Sequence, residues 1–164
     1  MAQSSGPGKV VANLHAENIQ GLLYNFDVGS YLLKPEHCAW LDEFLLPFVG
    51  ANSSFPLRLA GNASATGTQL MNFVLSLNRV ATGEAYLLQK GLDPSRHEME
   101  MVAHGSDFAM KKLNPQREDE RDRNIAFTLT VPWGPVQETL KARWFGTAWP
   151  PGTRGVDDWF SIPK

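Results

Sequence analysis

The sequence predicts an α/β domain in which a mixed β-sheet carries its helices on one face. Three observations predict this class. Strand-like and helix-like segments alternate in the order βαβα over the first half of the chain, a strand–loop–helix unit occupies residues 56–91, and a cleanly alternating strand follows later. In the central unit the strand covers 57–61, the loop consists of small residues, and the long helix covers 68–90.

The segments before this unit are predicted from local signals. Residues 10–14 favour a short edge strand, and the β-rich run 21–28 ends at Gly29. Pro35 and Glu36 indicate the first turn of a helix over 35–46, and we expect Pro47 and Gly50 to end it.

After the central helix, alternation predicts two further strands. One covers 97–104, and the other has Ile125, Phe127 and Leu129 on one face and small residues on the other, which is typical of a half-buried strand. Between them, nine of the thirteen residues at 111–123 are charged, so this stretch is predicted to be a solvated loop.

The central helix is apolar on two sides. Asn72, Leu75 and Arg79 share a face near the loop and are predicted to line one pocket with it. The other positions form two apolar stripes, so we expect the helix to be covered on both sides. The stripes are Phe73/Val80/Gly83/Leu87 and Leu70/Val74/Leu77/Ala81/Leu88.

Composition excludes several classes of protein. A chain of 164 residues suffices for one domain with a packed core, and a formal net charge of −2 provides no field for nucleic acid. Cys38 is the single cysteine and lies at helical spacing with Leu41 and Leu45, so it is interpreted as a small buried side chain. The four histidines are scattered, which predicts no metal site, and nothing indicates a cofactor or a transmembrane segment.

The chain divides into three parts by composition. Residues 1–9 are predicted to be a disordered leader without an apolar run of signal-peptide length, and 10–131 form the domain. The extension 132–164 contains Trp133, Trp144, Trp149 and Trp159. It is interpreted as folding back over an apolar helix stripe, and the alternative is a platform of exposed rings for a protein partner or a glycan.

Four motifs occur in an order that resembles one known family. The first motif is Phe26-Asp27 followed by Leu33-Lys34-Pro35-Glu36, and the second is the loop Gly61-Asn62-Ala63-Ser64-Ala65-Thr66-Gly67. The third consists of Asn72, Leu75, Ser76 and Arg79 on the long helix. The fourth, which matches more roughly, is Asp122-Arg123-Asn124-Ile125. Over about residues 23–131 the chain resembles the OmpA-like domain, which is shared by outer-membrane protein A, the peptidoglycan-associated lipoprotein and MotB.

The resemblance implies a non-enzymatic module that binds the peptide stem of peptidoglycan in the bacterial cell envelope. In the family, a helix Arg binds a carboxylate of diaminopimelate, and Arg79 matches it. A loop Asp binds the ammonium group, and here Ser64 replaces it, which predicts a weakened site. Asn62 and Asn124 also depart from the family pattern. The implied ligand-binding residues are Phe26, Asp27, Ser64, Asn72, Leu75 and Arg79.

Two functions therefore remain open. The first is a cell-wall module with this weakened site, and the second is an interaction or scaffold domain that kept the fold and lost the ligand. Arg79 also has a purely structural interpretation, in which it pairs with Asp27 and holds the helix to the sheet edge. Ser64 lacks the Gly-x-Ser-x-Gly context of a nucleophile, so no catalytic residue is predicted.

Overall fold

The computed structural model describes residues 6–15, 18–51, 56–107, 109–111 and 119–130 of the 164-residue chain. The extension at 132–164 and most of the leader lie outside the described residues. The strand expected at 10–14 begins slightly earlier, at Lys9.

Within the described residues, five strands form one mixed sheet in the order β1-β2-β5-β3-β4. The β3–β4 pair is parallel, whereas β1–β2, β2–β5 and β3–β5 are antiparallel. The predicted mixed sheet is therefore confirmed. The strands are β1 (Lys9–His15), β2 (Asn18–Tyr24), β3 (Leu57–Asn62), β4 (Met99–Ala103) and β5 (Asn124–Thr130).

The helices pack on one face of this sheet. Phe127 of β5 lies opposite Gly21 of β2 and opposite Leu59 of β3, so the three residues share a face. A side-chain carbon added at Gly21 would overlap the ring of Trp40, which also packs against Phe127. Gly83, on the long helix, faces Leu59 and Phe127. Both helical regions therefore cover the same face, as predicted.

The first helical region is longer than predicted. It comprises α1 (Pro35–Trp40), a π-helical segment (Leu41–Leu45) and α2 (Leu46–Ala51), so the expectation that Pro47 ends the helix was wrong. In the π-helical segment the Leu46 N–H bonds to the Leu41 carbonyl, five residues back. Pro47 has no N–H to donate, and the wider turn ahead of it accommodates the ring.

The long helix is α3 (Gln69–Gln89), close to the predicted range. The Thr68 hydroxyl caps it by accepting a hydrogen bond from the Met71 N–H. A side-chain carbon at Gly61 would overlap the Ser76 carbonyl oxygen. Glycine at this position therefore lets α3 lie directly against the backbone of β3.

Two burial predictions were wrong. The central strand β5 is buried on both faces, since Ala126 and Thr128 on one face are buried as well as Ile125, Phe127 and Leu129 on the other. The charged stretch is not wholly solvated either, because Asp122 and Arg123 at its end are buried. Alternation of small residues does not reveal whether the second face of a strand is covered, and a count of charges does not reveal which charges are paired.

Candidate functional site

Three chain segments meet at one edge of the sheet. Asn124, the first residue of β5, lies opposite Tyr24 at the end of β2 and opposite Asn62 at the end of β3. The chain leaves β2 into residues 25–34 and leaves β3 into the loop 63–68, which leads to the first turn of α3. The loop and the helix face predicted as a site therefore lie at this edge.

Arg79 connects these segments from α3. Its side chain is fully buried, at 0% exposure, and its guanidinium donates to main-chain carbonyls on both sides of the sheet edge. Nη1 lies 2.8 Å from the Asn62 oxygen and Nε lies 2.9 Å from the Ser30 oxygen. A longer contact of 3.4 Å joins Nη2 to the Asp27 oxygen. Arg79 thus holds the residues after β2 against the end of β3.

Phe26 is the apolar centre of the site. Its ring is buried, stacks on His37 with a centroid separation of 4.7 Å, and lies 5.3 Å below the guanidinium carbon of Arg79. A cation over an aromatic face is stabilised electrostatically, so Phe26 supports the charge of Arg79 as well as filling space. The predicted grouping of Phe26 with Arg79 is present in the structure.

Asp27 pairs with a lysine. Lys34 Nζ lies 2.8 Å from Asp27 Oδ1, and both side chains are largely covered. The Lys34 ammonium also donates to the Gly6 carbonyl oxygen, 2.6 Å away. The main-chain oxygen of Asp27 also contacts Arg79, so Asp27 and Arg79 lie next to each other, as both interpretations of Arg79 require.

Asn62, at the end of β3, and Ser64, in the loop, are polar residues that are almost fully covered. Ser64 is 6% exposed, and its Oγ lies 3.3 Å from Thr66 Oγ1. Asn62, where the family motif has His, donates from Nδ2 to Asn124 Oδ1 at 2.9 Å. Asn124 in turn donates to the Arg121 carbonyl oxygen at 2.7 Å. The two departures from the family pattern thus form a pair with each other across β3 and β5.

Asn72 and Leu75 complete the predicted set on α3. Asn72 is buried and lies beside the loop, since a side-chain carbon at Gly67 would contact its Oδ1 at 3.7 Å. Leu75 is half-buried one turn before Arg79. Both residues lie on the part of α3 that covers the sheet edge, as the helical spacing predicted.

The predicted site residues did not include Arg123. It is 6% exposed, and it donates from Nε to the Phe26 carbonyl oxygen at 2.6 Å and from Nη2 to Asn25 Oδ1 at 3.0 Å. Arg123 belongs to the fourth sequence motif, but it is also the last residue of the charged stretch 111–123, which the sequence predicts to be a solvated loop. Two buried guanidiniums, from Arg79 and Arg123, therefore hold the residues that follow β2.

His37 is a neutral structural residue beneath the site. Its Nδ1 accepts from the Lys34 N–H at 3.1 Å, so Nε2 carries the proton and donates to the Tyr24 carbonyl oxygen at 2.7 Å. Burial disfavours the charged imidazolium and lowers its pKa from 6.5 to about 4. This bridge joins the end of β2 to the start of α1 and places Phe26 between them.

A cavity of about 380 Å³ lies on another side of the α3 N-terminus, against the end of β4. It involves none of the predicted site residues. Its walls include Gln69, Phe73, His104 and Asp107.

Other kinds of site find no support in the described ranges. There, no group of three or more His, Cys, Asp or Glu side chains is placed to hold a metal ion. Among the same residues, no helix combines the length and the apolar character that crossing a membrane requires.

Comparison with known proteins gives one sequence relative and several structural ones. The chain is 37% identical over 71 residues to outer membrane protein A of Bordetella avium. The match covers 43% of this chain and 36% of that protein, so the chain spans about a third of its relative's length. No family model matches the sequence.

Solved structures share the fold at low sequence identity. The OmpA-like domain of FopA1 from Francisella tularensis superposes with a TM-score of 0.53 at 17% identity, over 77% of this chain and 82% of that one. The peptidoglycan-associated lipoprotein of Burkholderia pseudomallei gives 0.50 at 21% identity, over 66% and 87%. The chain therefore shares the fold of OmpA-like domains.

Proposed function

We propose that this domain binds the peptide stem of peptidoglycan through a weakened site at the sheet edge formed by β2, β3 and β5. The site comprises Phe26, Asp27, Ser64, Asn72, Leu75 and Arg79. Two lines support the proposal: the motif positions of these residues, and the shared fold with a lipoprotein that is named for its association with peptidoglycan.

The position of Arg79 is the observation that carries the proposal. A buried guanidinium next to a loop is costly unless it is paired, and bidentate binding of a carboxylate suits its geometry. Of its three main-chain contacts described above, the one to the Asp27 oxygen is the longest, at 3.4 Å. Among the contacts described, this is the one that a ligand carboxylate would displace most easily, while the shorter contacts to Asn62 and Ser30 keep the guanidinium in place.

The weakness of the site follows from Ser64. A hydroxyl accepts a hydrogen bond from the ligand ammonium group but provides no charge. Hydrogen bonds to charged groups contribute about 1.5–3 kcal/mol, so loss of the carboxylate corresponds to binding that is roughly ten- to a hundredfold weaker.

A scaffold domain that has lost the ligand is the second candidate. The specific observation in its favour is the Asn62–Asn124 pair, in which two motif positions bond to each other. In this interpretation Arg79 is a structural clamp, and contact with other proteins is the function. For this second function, we propose that the extension 132–164 contacts the partner protein.

Calorimetric titration with diaminopimelate, together with sedimentation on purified sacculi, tests the two candidates. We expect Ser64→Asp to strengthen binding by about ten- to a hundredfold, because it restores the negative charge near the ligand ammonium group. Asn78→Asp, on an exposed part of α3, is the control that makes the same change in net charge away from the site. It should leave binding unchanged.

Arg79→Lys is the complementary variant. Lysine keeps the charge but loses the forked donors, so we expect weaker binding than in the wild type. Because Arg79 also supports the fold, its variant is compared at a temperature where circular dichroism shows both proteins folded. If the wild type binds neither sacculi nor millimolar diaminopimelate and Ser64→Asp gains nothing, the scaffold candidate replaces the proposal.

A further inference from the structure

A single acidic residue belongs to the two segments that form the proposed site. Residues 25–34 and 61–79 contain all of the proposed ligand-binding residues, and Asp27 is the one carboxylate among them. Ser64 occupies the motif position of the loop Asp, and its Oγ lies 3.3 Å from another hydroxyl, that of Thr66. Within these segments, a negative charge for a ligand ammonium group therefore comes from Asp27 alone.

Asp27 is already paired with a cation. Lys34 Nζ lies 2.8 Å from Asp27 Oδ1, and the two side chains are 11% and 28% exposed. Solvent screens a largely covered pair only weakly, so separating its charges is unfavourable. A ligand ammonium group that binds Asp27 displaces one cation and takes its place, with little net gain in charge interaction.

The chain ahead of β1 holds Lys34 in this position. Its Nζ donates to the Gly6 carbonyl oxygen at 2.6 Å as well as to Asp27. The Gly8 N–H donates to Glu36 Oε1 at 2.8 Å, next to Lys34 in the sequence motif. A side-chain carbon at Gly8 would come within 2.9 Å of the Lys34 Cβ, so the backbone lies directly on this residue. Lys34 is therefore fixed between Asp27 and residues 6–8.

The two site segments carry a net positive charge. Lys34 and Arg79 contribute two positive charges and Asp27 contributes one negative charge, which leaves +1. The adjoining segment 119–123 has three acidic and two basic residues, and Lys9, which pairs with the glutamate of this segment, balances it. A positive site attracts carboxylate groups and disfavours ammonium groups.

We propose that this site binds a carboxylate whose neighbouring amine is uncharged, and that Lys34 is the residue that determines this preference. The proposal rests on the function proposed above and specifies its ligand: a stem in which the diaminopimelate amine is acylated, as it is in a peptide cross-link. Acylation removes the ammonium charge and leaves the carboxylate that Arg79 binds. The Ser64 hydroxyl accepts a hydrogen bond from the resulting amide N–H as well as from an ammonium group.

Calorimetric titration of the full chain with diaminopimelate and with its N,N′-diacetyl derivative tests the preference. The two ligands share both carboxylates, and only diaminopimelate has ammonium groups. The wild type should bind the diacetyl derivative no more than about threefold more weakly than diaminopimelate. In Lys34→Met, Asp27 loses the lysine ammonium, so diaminopimelate should gain at least about tenfold relative to the derivative.

Two further variants isolate the role of Lys34. Lys34→Arg keeps a cation beside Asp27 and should keep the wild-type ratio of the two affinities. Lys90→Met removes the same charge at the opposite end of α3 and should change this ratio less than about twofold. The wild-type ratio requires no substitution, so it tests the preference even if Lys34→Met does not fold.

The outcomes distinguish this proposal from the function on which it rests. If the wild type binds diaminopimelate more than about tenfold more tightly than the diacetyl derivative, the site recognises the ammonium group, and the proposed preference is wrong while stem binding stands. If Lys34→Met changes the ratio no more than Lys90→Met does, the assignment to Lys34 is wrong. If the wild type binds neither ligand at millimolar concentration and does not sediment with sacculi, the proposed function is overturned, and this proposal with it.

Discussion

The guanidinium of Arg79 lies over the ring of Phe26, 5.3 Å from its centroid, and links α3 to the connection between β2 and α1. The same ring stacks on His37, so the cation, the ring and the imidazole form one contact chain beneath the proposed site. A change to any one of these three side chains is therefore expected to disturb the packing of the other two.

Replacing Arg123 should destabilise the fold far more than replacing its neighbour Arg121. Arg123→Met leaves the Phe26 carbonyl oxygen and Asn25 Oδ1 without their buried donor, which costs about 3 kcal/mol. Arg121 pairs with Asp119 in a partly exposed salt bridge, so Arg121→Met should cost less than about 1 kcal/mol. Urea denaturation of both variants measures the difference, and equal losses would contradict the structural role of Arg123.

The protein should become less stable as the pH is lowered through the range in which His37 titrates. Its pKa is lowered to about 4 in the folded protein, whereas the unfolded chain titrates near the ordinary 6.5. Between these values the unfolded state binds the proton more readily, so this contribution is complete above 6.5 and is lost as the pH falls toward 4. The loss amounts to about 3 kcal/mol.

The control for this pH dependence is His37→Gln, which keeps a side-chain N–H donor within reach of the Tyr24 carbonyl oxygen and removes the titration. Its free energy of unfolding, measured by urea titration at several pH values, should change less than that of the wild type between pH 6.5 and 4. If the two proteins lose stability in parallel, His37 is not the group responsible.

Gly61→Ala should destabilise the packing of α3 against the sheet. The added methyl group meets the Ser76 carbonyl oxygen, a backbone atom that moves only if the whole helix shifts, and overpacking of this kind costs about 2–3 kcal/mol or more. Gly29→Ala is the matched control, because a side-chain carbon there meets nothing within 4 Å and only its φ of +72° is strained. That strain costs about 1 kcal/mol. If Gly29→Ala lowers the melting temperature more than Gly61→Ala does, the close approach of α3 to β3 is contradicted.

The parts of the fold that follow from periodicity were predicted well. The range of α3 and the positions of β3 and β5 all follow from helical or alternating patterns that a single sequence displays. The helical face with Asn72, Leu75 and Arg79 was found in the same way, because three residues at these spacings lie together whatever the rest of the chain does.

The features that were missed depend on contacts distant in sequence. Pro47 ordinarily stops a helix, and only the π-helical turn before it lets the helix continue. Arg123 is buried because carbonyl and amide oxygens about a hundred residues earlier in the chain accept its hydrogen bonds. Likewise, the main-chain acceptors of Arg79 lie on segments whose meeting point is set by the register of β2, β3 and β5.

The contact between Gly61 and Ser76 has a further consequence for ligand binding. It fixes α3 on β3, and the Thr68 cap fixes the first turn, so the loop of residues 63–68 is held at both ends. The Ala63 N–H also bonds to the Gly105 carbonyl oxygen at 2.8 Å. Conformational entropy of the loop is therefore lost when the chain folds and not when a ligand arrives. In the proposed site, the contacts with a ligand therefore contribute to affinity without a further cost for ordering the loop.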